Sequence, residues 1–349
     1  MDESIAINTR VIRSGGSSGV LRYTRELSRA LAGQATAVAP TGAFSGTAGH
    51  LWEQLSLPRR VGRALLFSPS NTGPLAVSRQ VVTIHDWAVM DHPEWFSPRF
   101  SALYRFLLPR LVARVRRVIT VSRFSRERIL EATRVDPERV VVVPNAVGPE
   151  FRPQSRERTA SMRRSLRLKS DRYVLSLGSI EPRKNIPRVL SAWRMAQRQL
   201  PSDVWLVIAG APGSASVFRA VPLNALPERV QLIGRVPEAE LPALYTGAIA
   251  LVYPSLYEGF GLPLLEAMAS GTPVIGSSRG AMPEVVEAAG LLVDPRVPEA
   301  IAEAVVRVVV RTDLWKTLRH RGLERARRFS WKETARQTLA VLREAGSDA

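Results

Sequence analysis

Strand-like and helix-like patterns alternate along nearly all of this 349-residue chain. The alternation predicts an α/β protein of two Rossmann-like domains, each a parallel sheet covered by helices on both faces. Two observations carry the prediction. Short apolar runs bounded by turn residues recur in both halves, with amphipathic periods between them. A Pro- and Arg-rich polar stretch, residues 149–165, divides the halves. The length suffices for two ordinary cores. The division predicts domains at 1–160 and 161–330 and a closing segment at 331–349.

In the first half, Ile-Ala-Ile-Asn at 5–8 reads as a strand, followed by strands at 65–68, 81–85, 118–121 and 140–144, each rich in Val, Ile or Leu. Apolar residues at helical spacing over 19–32 and 123–132 supply connecting helices. The second half repeats the pattern, with strands at 173–177, 205–209, 230–233, 250–253, 274–276 and 291–293. Its helices fall at 186–200, 239–246, 264–270 and 298–311. After the break at Phe329-Ser330-Trp331 the chain reads as helical to 345, with Ser330 as N-cap. In doubly wound sheets ligands bind outside the carboxyl ends of the strands, so a ligand is expected in a cleft faced by those ends.

Composition narrows the function classes. There is no cysteine, hence no disulfide framework and no thiolate metal site. No run of eighteen apolar residues occurs, and the chain passes directly into the strand-like Ser4–Asn8. The expected location is cytoplasmic, or peripheral to a membrane from its cytoplasmic face. The net charge is +18, from 45 Arg and 4 Lys against 31 acids. The skew towards Arg fits a GC-rich genome, and the charge is spread over both halves, which argues against a nucleic-acid-binding arm. Residues 99–128 are locally extreme, with nine Arg, one acid (Glu127) and apolar residues at helical spacing. Pro109 should kink or restart that helix. The segment reads either as an ordinary helix with a solvated Arg face or as a basic amphipathic patch for anionic lipid.

The most informative stretch is Glu258-Gly-Phe-Gly-Leu-Pro-Leu-Leu-Glu266. A buried strand precedes it and a helix follows, with Pro263 in the first turn, where a missing N–H is harmless. Gly259 and Gly261 lie in the strand-to-helix loop. Amides at such a helix N-terminus, with the helix dipole, favour a phosphate. Glu258 and Glu266 are suited instead to accept hydrogen bonds from hydroxyls. Phosphate donors flanked by hydroxyl acceptors describe a nucleotide-sugar pocket. The context Pro254-Ser-Leu-Tyr-Glu-Gly-Phe-Gly-Leu-Pro, then Glu-Ala-Met-Ala-Ser-Gly-Thr-Pro-Val-Ile275, closely resembles retaining glycosyltransferases of family 4, which have the GT-B fold. The likeness continues through Glu284 and Leu291-Leu-Val-Asp-Pro295. It implies that Glu258 meets the hydroxyls of the donor sugar and Glu266 the ribose. The amides of Phe260, Gly261 and Leu262 would face the sugar and diphosphate.

Other residues extend the resemblance. Gly178-Ser-Ile-Glu-Pro-Arg-Lys-Asn185 follows a strand and precedes a helix, and Arg183 and Lys184 there could neutralise a diphosphate. The family carries a basic pair in this region. A common family pattern has Arg after the glycine, where this chain has Ser179, so Arg183 would stand in for it. His85 ends a strand, where ligands bind, and Thr-Ile-His-Asp-Trp around it resembles a bacterial subgroup whose histidine approaches the donor sugar. The remaining histidines, His50, His92 and His320, have no comparable setting. Ser14–Thr24, with Gly16 and Gly19, is not a G-x-G-x-x-G loop, which weakens a nicotinamide or flavin reading. In the family this loop lies beside the diphosphate and acceptor. Gly234, Arg235 and Val236 match the region bordering the nucleotide base. No Asp-x-Asp pair, H-E-x-x-H, G-x-S-x-G or Walker lysine loop occurs. No metal and no cofactor are therefore expected.

The resemblance thus implies a metal-independent, retaining hexosyltransferase that takes a nucleotide-diphosphate sugar. The first half is similar to bacterial mannosyl- and rhamnosyltransferases of surface polysaccharide assembly. That implies a GDP-sugar donor, a saccharide or polyprenyl-diphosphate-linked saccharide acceptor, and no nucleic acid. A UDP- or ADP-sugar donor, a nucleotide-sugar epimerase of the same fold and a non-catalytic partner subunit are the alternatives.

Overall fold

The computed structural model describes residues 4–13, 19–42, 46–223 and 225–347. The chain divides into two compact units. The first comprises Met1–Asp91, Ser101–Ala146 and Ser330–Ala349. Its six strands are β1 (Ile5–Asn8), β2 (Ala35–Val38), β3 (Leu65–Ser68), β4 (Gln80–Ile84), β5 (Arg117–Thr120) and β6 (Val140–Val142), all parallel, in the order β2-β1-β3-β4-β5-β6. Val81, Val82, Ile84, Val118 and Ile119 are fully buried. Burial on both faces is why these strands read as unbroken apolar runs. The connecting helices include α1 (Gly19–Ala30), α2 (Gly46–Leu55), α3 (Pro98–Arg114) and α4 (Arg123–Ala132), the last capped by Ser122 on the Ser125 amide.

The C-terminal helix, Trp331–Ser347, belongs to this first unit. It packs on α1 and on β3, β4 and β5. Ser330 accepts a bond from the Glu333 amide as its cap, Thr334 donates to the Pro144 carbonyl at 2.9 Å, and Arg116 donates to the Ala345 carbonyl at 2.6 Å.

The second unit comprises His92–Phe100 and Val147–Phe329. Its strands are β7 (Arg172–Leu177), β8 (Val204–Ala209), β9 (Val230–Gly234), β10 (Ala250–Tyr253), β11 (Val274–Ser277) and β12 (Leu291–Val293), parallel in the order β12-β11-β10-β7-β8-β9. Its helices include α5 (Ile186–Ala196), α6 (Leu262–Ala269), α7 (Pro298–Val310) and α8 (Thr312–Ala326). One core face joins Val189, Leu190 and Trp193 of α5 to Ile301, Val305 and Val308 of α7, against Val174, Leu206 and Val252 of the sheet.

Four sequence expectations change. Residues 149–165 are not a linker: Arg156–Ser165 is a helix capped by Ser155, which buries Thr159 and Met162, so the second unit begins at Val147 rather than 161. The strand β2 escaped notice because Ala35–Val38 is a short edge strand of small residues, half exposed. The helix α3 runs unbroken through Pro109. The carbonyl that Pro109 leaves without an N–H partner belongs to Arg105, an exposed residue in reach of water. Finally, His92–Phe100 leaves the first unit to pair with the second. Ser97 N donates to Val217 O at 2.8 Å and Arg219 N to Trp95 O at 2.9 Å, an antiparallel match that no local pattern announces.

Candidate active site

The carboxyl edge of the second sheet gathers the charged residues singled out in the sequence. After β7 the chain turns at Gly178 into a short 3-10 turn, Pro182–Lys184, ending at Asn185 in the left-handed region (φ 63). Asn185 fixes this turn by donating to the carbonyls of Pro254 (3.0 Å) and Pro295 (2.7 Å), and Leu256 N donates to Arg183 O at 2.8 Å. The loop after β7 is thereby tied to the loop after β10. At the end of β8, Gly210 has φ 147, and a Cβ there would lie 1.9 Å from the Gly178 carbonyl oxygen, so only glycine permits this approach.

Lys184 and Glu258 meet across those loops. Lys184 Nζ donates to Glu258 Oε1 at 2.6 Å and also to the Tyr253 hydroxyl, which itself donates to Glu258 Oε1 at 2.8 Å. Arg183 lies between two carboxylates, bonded through Nε to Glu181 and 3.6 Å through a terminal nitrogen from Glu258 Oε2. Both acids are buried. Burial alone would raise the Glu258 carboxyl, but Lys184 and Arg183 with hydrogen bonds from Lys184 and Tyr253 hold it down at about 2. Burial, reinforced by Glu258, pushes the Tyr253 phenol well up, so it remains a donor. Two cations and two carboxylates leave the cluster close to neutral, with the cations poised to meet added negative charge.

Glu266 lies one turn into α6, buried, and accepts from the Tyr245 hydroxyl at 2.9 Å. Gly261 is the N-cap residue of this helix, left-handed with φ 100, which a side chain would rarely adopt. Among the described residues the amides of Phe260, Gly261 and Leu262 make no protein hydrogen bond, as expected of a helix N-terminus. They are thus donors in search of an acceptor. Ala281 N caps the loop from behind by donating to Glu258 O at 3.1 Å. At the end of β9, Gly234 has φ 67 and its carbonyl receives Gly210 N at 2.7 Å, while Arg235 is exposed and Val236 half-buried.

The segment from the first half of the chain reaches this edge. His92 stacks on Trp95 (centroids 3.9 Å), and Tyr257, the neighbour of Glu258, meets the His92 ring edge-on at 5.7 Å. The loop that pairs with Trp95 and Ser97 also bonds Ile180, through Gly213 N to Ile180 O at 3.1 Å. Sequence reasoning gave His92 no such setting, and it missed Tyr245, Tyr253 and Asn185. The last stood within the quoted run, and Tyr253 at a strand's carboxyl end was the available signal.

In the first unit, His85 follows β4 directly. Its Nε2 lies 2.9 Å from Pro69 O, and since a carbonyl only accepts, Nε2 carries the proton. Burial pushes the imidazole below its ordinary value, against the opposing influence of Pro69 and Asp86. The neutral ring therefore offers Nδ1 as an acceptor. The ring is held edge-on to Tyr23 at 4.6 Å, and its amide donates to Asn71 Oδ1 at 2.7 Å. Gly19 opens α1, whereas Gly16 lies outside the described residues. His50 also has a setting: it lies 3.7 Å from Glu53 in a buried group with Arg10 and Asn8. Among the described residues no three His, Asp or Glu side chains converge as a metal site would need.

Two parallel six-stranded units with this charged edge define an α/β enzyme of the GT-B class. A family profile described as Glycosyl transferases group 1 matches residues 157–328, and one described as Glycosyltransferase Family 4 matches residues 64–151. O-antigen chain mannosyltransferase B of Escherichia coli is 32% identical over 269 residues, covering 76% of this chain and 70% of that protein. Serotype-specific mannosyltransferase WbdA of Escherichia coli is 30% identical over 266 residues, covering 74% of this chain and 32% of that much longer protein. Among solved structures, Anabaena Alr3699/HepE, in complex with UDP and glucose, superposes with a TM-score of 0.76 at 17% identity, covering 98% of this chain and 99% of that one. The chain belongs to the family 4 glycosyltransferases.

Proposed function

We propose that this glycosyltransferase transfers mannose or a related hexose, with retention, from a GDP-sugar to a saccharide acceptor carried on a lipid diphosphate during surface-polysaccharide assembly. The observation that carries the reading is the Lys184–Glu258–Tyr253 cluster beside the open amides of Phe260, Gly261 and Leu262. The mannosyltransferase relatives support the choice of sugar. Arg183 and Lys184 with those amides would take the charge of the departing nucleoside diphosphate, without a metal. Preorganised charge of this kind often supplies the largest share of catalysis. Glu258 and His85 Nδ1 would accept from the sugar hydroxyls, Glu266 from the ribose, and Gly234–Val236 would border the base. The acceptor hydroxyl then attacks on the face the diphosphate leaves, through an oxocarbenium-like state. A lipid-linked acceptor sets the reaction at a membrane surface, with the enzyme peripheral on its cytoplasmic face.

Calorimetric titration with GDP, UDP and ADP tests the donor. GDP should bind at least ~10-fold more tightly than the other two, a difference of about 1.4 kcal/mol. Equal affinities would remove the basis for a guanosine donor, and tighter UDP or ADP binding would name another. His85→Ala gives a second test. Transfer should fall ~100-fold, within the range for a group that assists only as the reaction proceeds. Nucleotide affinity, read in the same titration, should stay within about twofold, less than 0.5 kcal/mol. A parallel loss of both would show that His85 merely supports the fold.

A further inference from the structure

The chain exposes eight large apolar side chains among the described residues, and four of them sit on α2 and α3. Leu51 and Leu55 of α2 are 55% and 60% exposed, and Leu103 and Phe106 of α3 are 38% and 53% exposed. The two helices are neighbours, since the His50 ring of α2 meets the Tyr104 ring of α3 edge-on at 5.8 Å. Arginines flank Leu55 and Phe106. Arg59 donates to the Leu55 carbonyl at 2.7 Å, and Arg110 donates to the Phe106 carbonyl at 2.9 Å with its guanidinium 3.9 Å from the Phe106 ring centre. Arg60, Arg63, Arg105 and Arg114 are exposed nearby in sequence. Across residues 46–63 and 101–114 the single acid is Glu53, and it is fully buried. No exposed acid from these two segments therefore offsets their arginines.

We propose that the α2–α3 face docks this enzyme onto an anionic lipid surface. Leu51, Leu55, Leu103 and Phe106 enter the boundary between headgroups and acyl chains, and the arginines lie among the headgroup phosphates with their stems along the apolar side chains. A second copy of the chain is a poor occupant, because a self-complementary pairing would set like charges against each other without an acid to relieve them. Nucleic acid would engage the arginines and leave the exposed Leu and Phe without a role. The proposal deepens the reading above, since it places the enzyme where a lipid-linked acceptor is presented.

Partitioning of the full chain onto vesicles of phosphatidylcholine, with and without phosphatidylglycerol, tests it at physiological salt. The enzyme should bind only the vesicles containing phosphatidylglycerol. Replacing Arg105, Arg110 and Arg114 by Gln should lower partitioning ~100-fold, at ~1 kcal/mol for each arginine. Leu55→Glu with Phe106→Glu should lower it at least ~10-fold, through lost apolar burial and added repulsion. Both variants alter exposed side chains, so their melting should match the wild type. Arg327→Gln with Arg328→Gln, exposed in the second unit, should partition as the wild type does. Equal binding to pure phosphatidylcholine, no binding at all, or an equal loss in the Arg327/Arg328 control would overturn the proposal. So would sedimentation showing a dimer that Leu55→Glu with Phe106→Glu dissolves. Neither donor nor acceptor is present, so failure here leaves the transferase reading standing, and failed nucleotide binding leaves this proposal standing.

Discussion

Lys184→Ala should lower sugar transfer by ~1,000-fold and weaken nucleoside diphosphate binding at least ~10-fold, because it removes a cation held at the place where leaving-group charge develops. Lys184 also compensates Glu258, with Nζ 2.6 Å from its carboxylate. Without Lys184 that buried acid keeps only Tyr253 at 2.8 Å and the more distant Arg183 at 3.6 Å. Breaking one side of a buried ion pair destabilises by about 3–5 kcal/mol, or a fall in melting temperature on the order of 10 °C for a unit of this size. The two losses must be separated, and temperature separates them. Assayed well below the lowered midpoint, the variant should be fully folded yet still deficient in transfer. If transfer recovers wholly on cooling, Lys184 only holds the loops together. Lys184→Arg provides a second discrimination. It keeps the charge, but the planar guanidinium cannot reproduce a point donor to both Tyr253 and Glu258. It should recover nucleotide binding more fully than transfer.

The sequence reveals this site unevenly, and the reasons are physical. Glu258, Gly261 and Glu266 are legible because a strand, a glycine turn and a Pro-opened helix are local chemistry, readable within ten residues or so. Among the described residues the inner strands were legible because burial on both faces leaves an unbroken apolar run. The edge strands β6, β9 and β12 keep Val, Leu or Ile, whereas β2 is Ala-Thr-Ala-Val, too small and too polar to stand out. Tyr253, Tyr245 and Asn185 act through bonds between loops far apart in the chain, from Asn185 to Pro254 and Pro295 and from Tyr245 to Glu266. No period encodes such partners. The helix Arg156–Ser165 was hidden by its polarity, since only Thr159 and Met162 turn inward. The segment His92–Phe100 was hidden more deeply. Its neighbours in sequence belong to one unit and its hydrogen bonds to the other.

Glu258→Gln should act in opposite directions on binding and on transfer. The substitution keeps the volume and the bond from Tyr253 but removes the charge that now occupies Lys184 and Arg183. Freed of that carboxylate, the two cations can turn wholly to a diphosphate, and nucleoside diphosphate affinity should hold or rise, by up to ~10-fold or about 1.4 kcal/mol. Transfer should nonetheless fall by ~100- to 1,000-fold, because an anionic acceptor for the sugar hydroxyls and a charge near the developing oxocarbenium are lost. A merely structural acid would lower both. The pH dependence of stability gives an independent reading of the same carboxylate. Glu258 is held at about 2 in the folded protein against an ordinary value of 4.5. A depressed folded-state pKa stabilises above the unfolded value and loses that contribution as pH falls through the folded one. The wild type should therefore lose on the order of 3 kcal/mol between pH 4.5 and pH 2 through this group. Urea unfolding across that window should show a shallower decline for Glu258→Gln, from a lower starting stability, since Lys184 and Arg183 then lose the carboxylate they share. If both proteins decline in parallel, Glu258 does not carry the charge this geometry assigns to it, and the site must draw its balance from Glu181 alone.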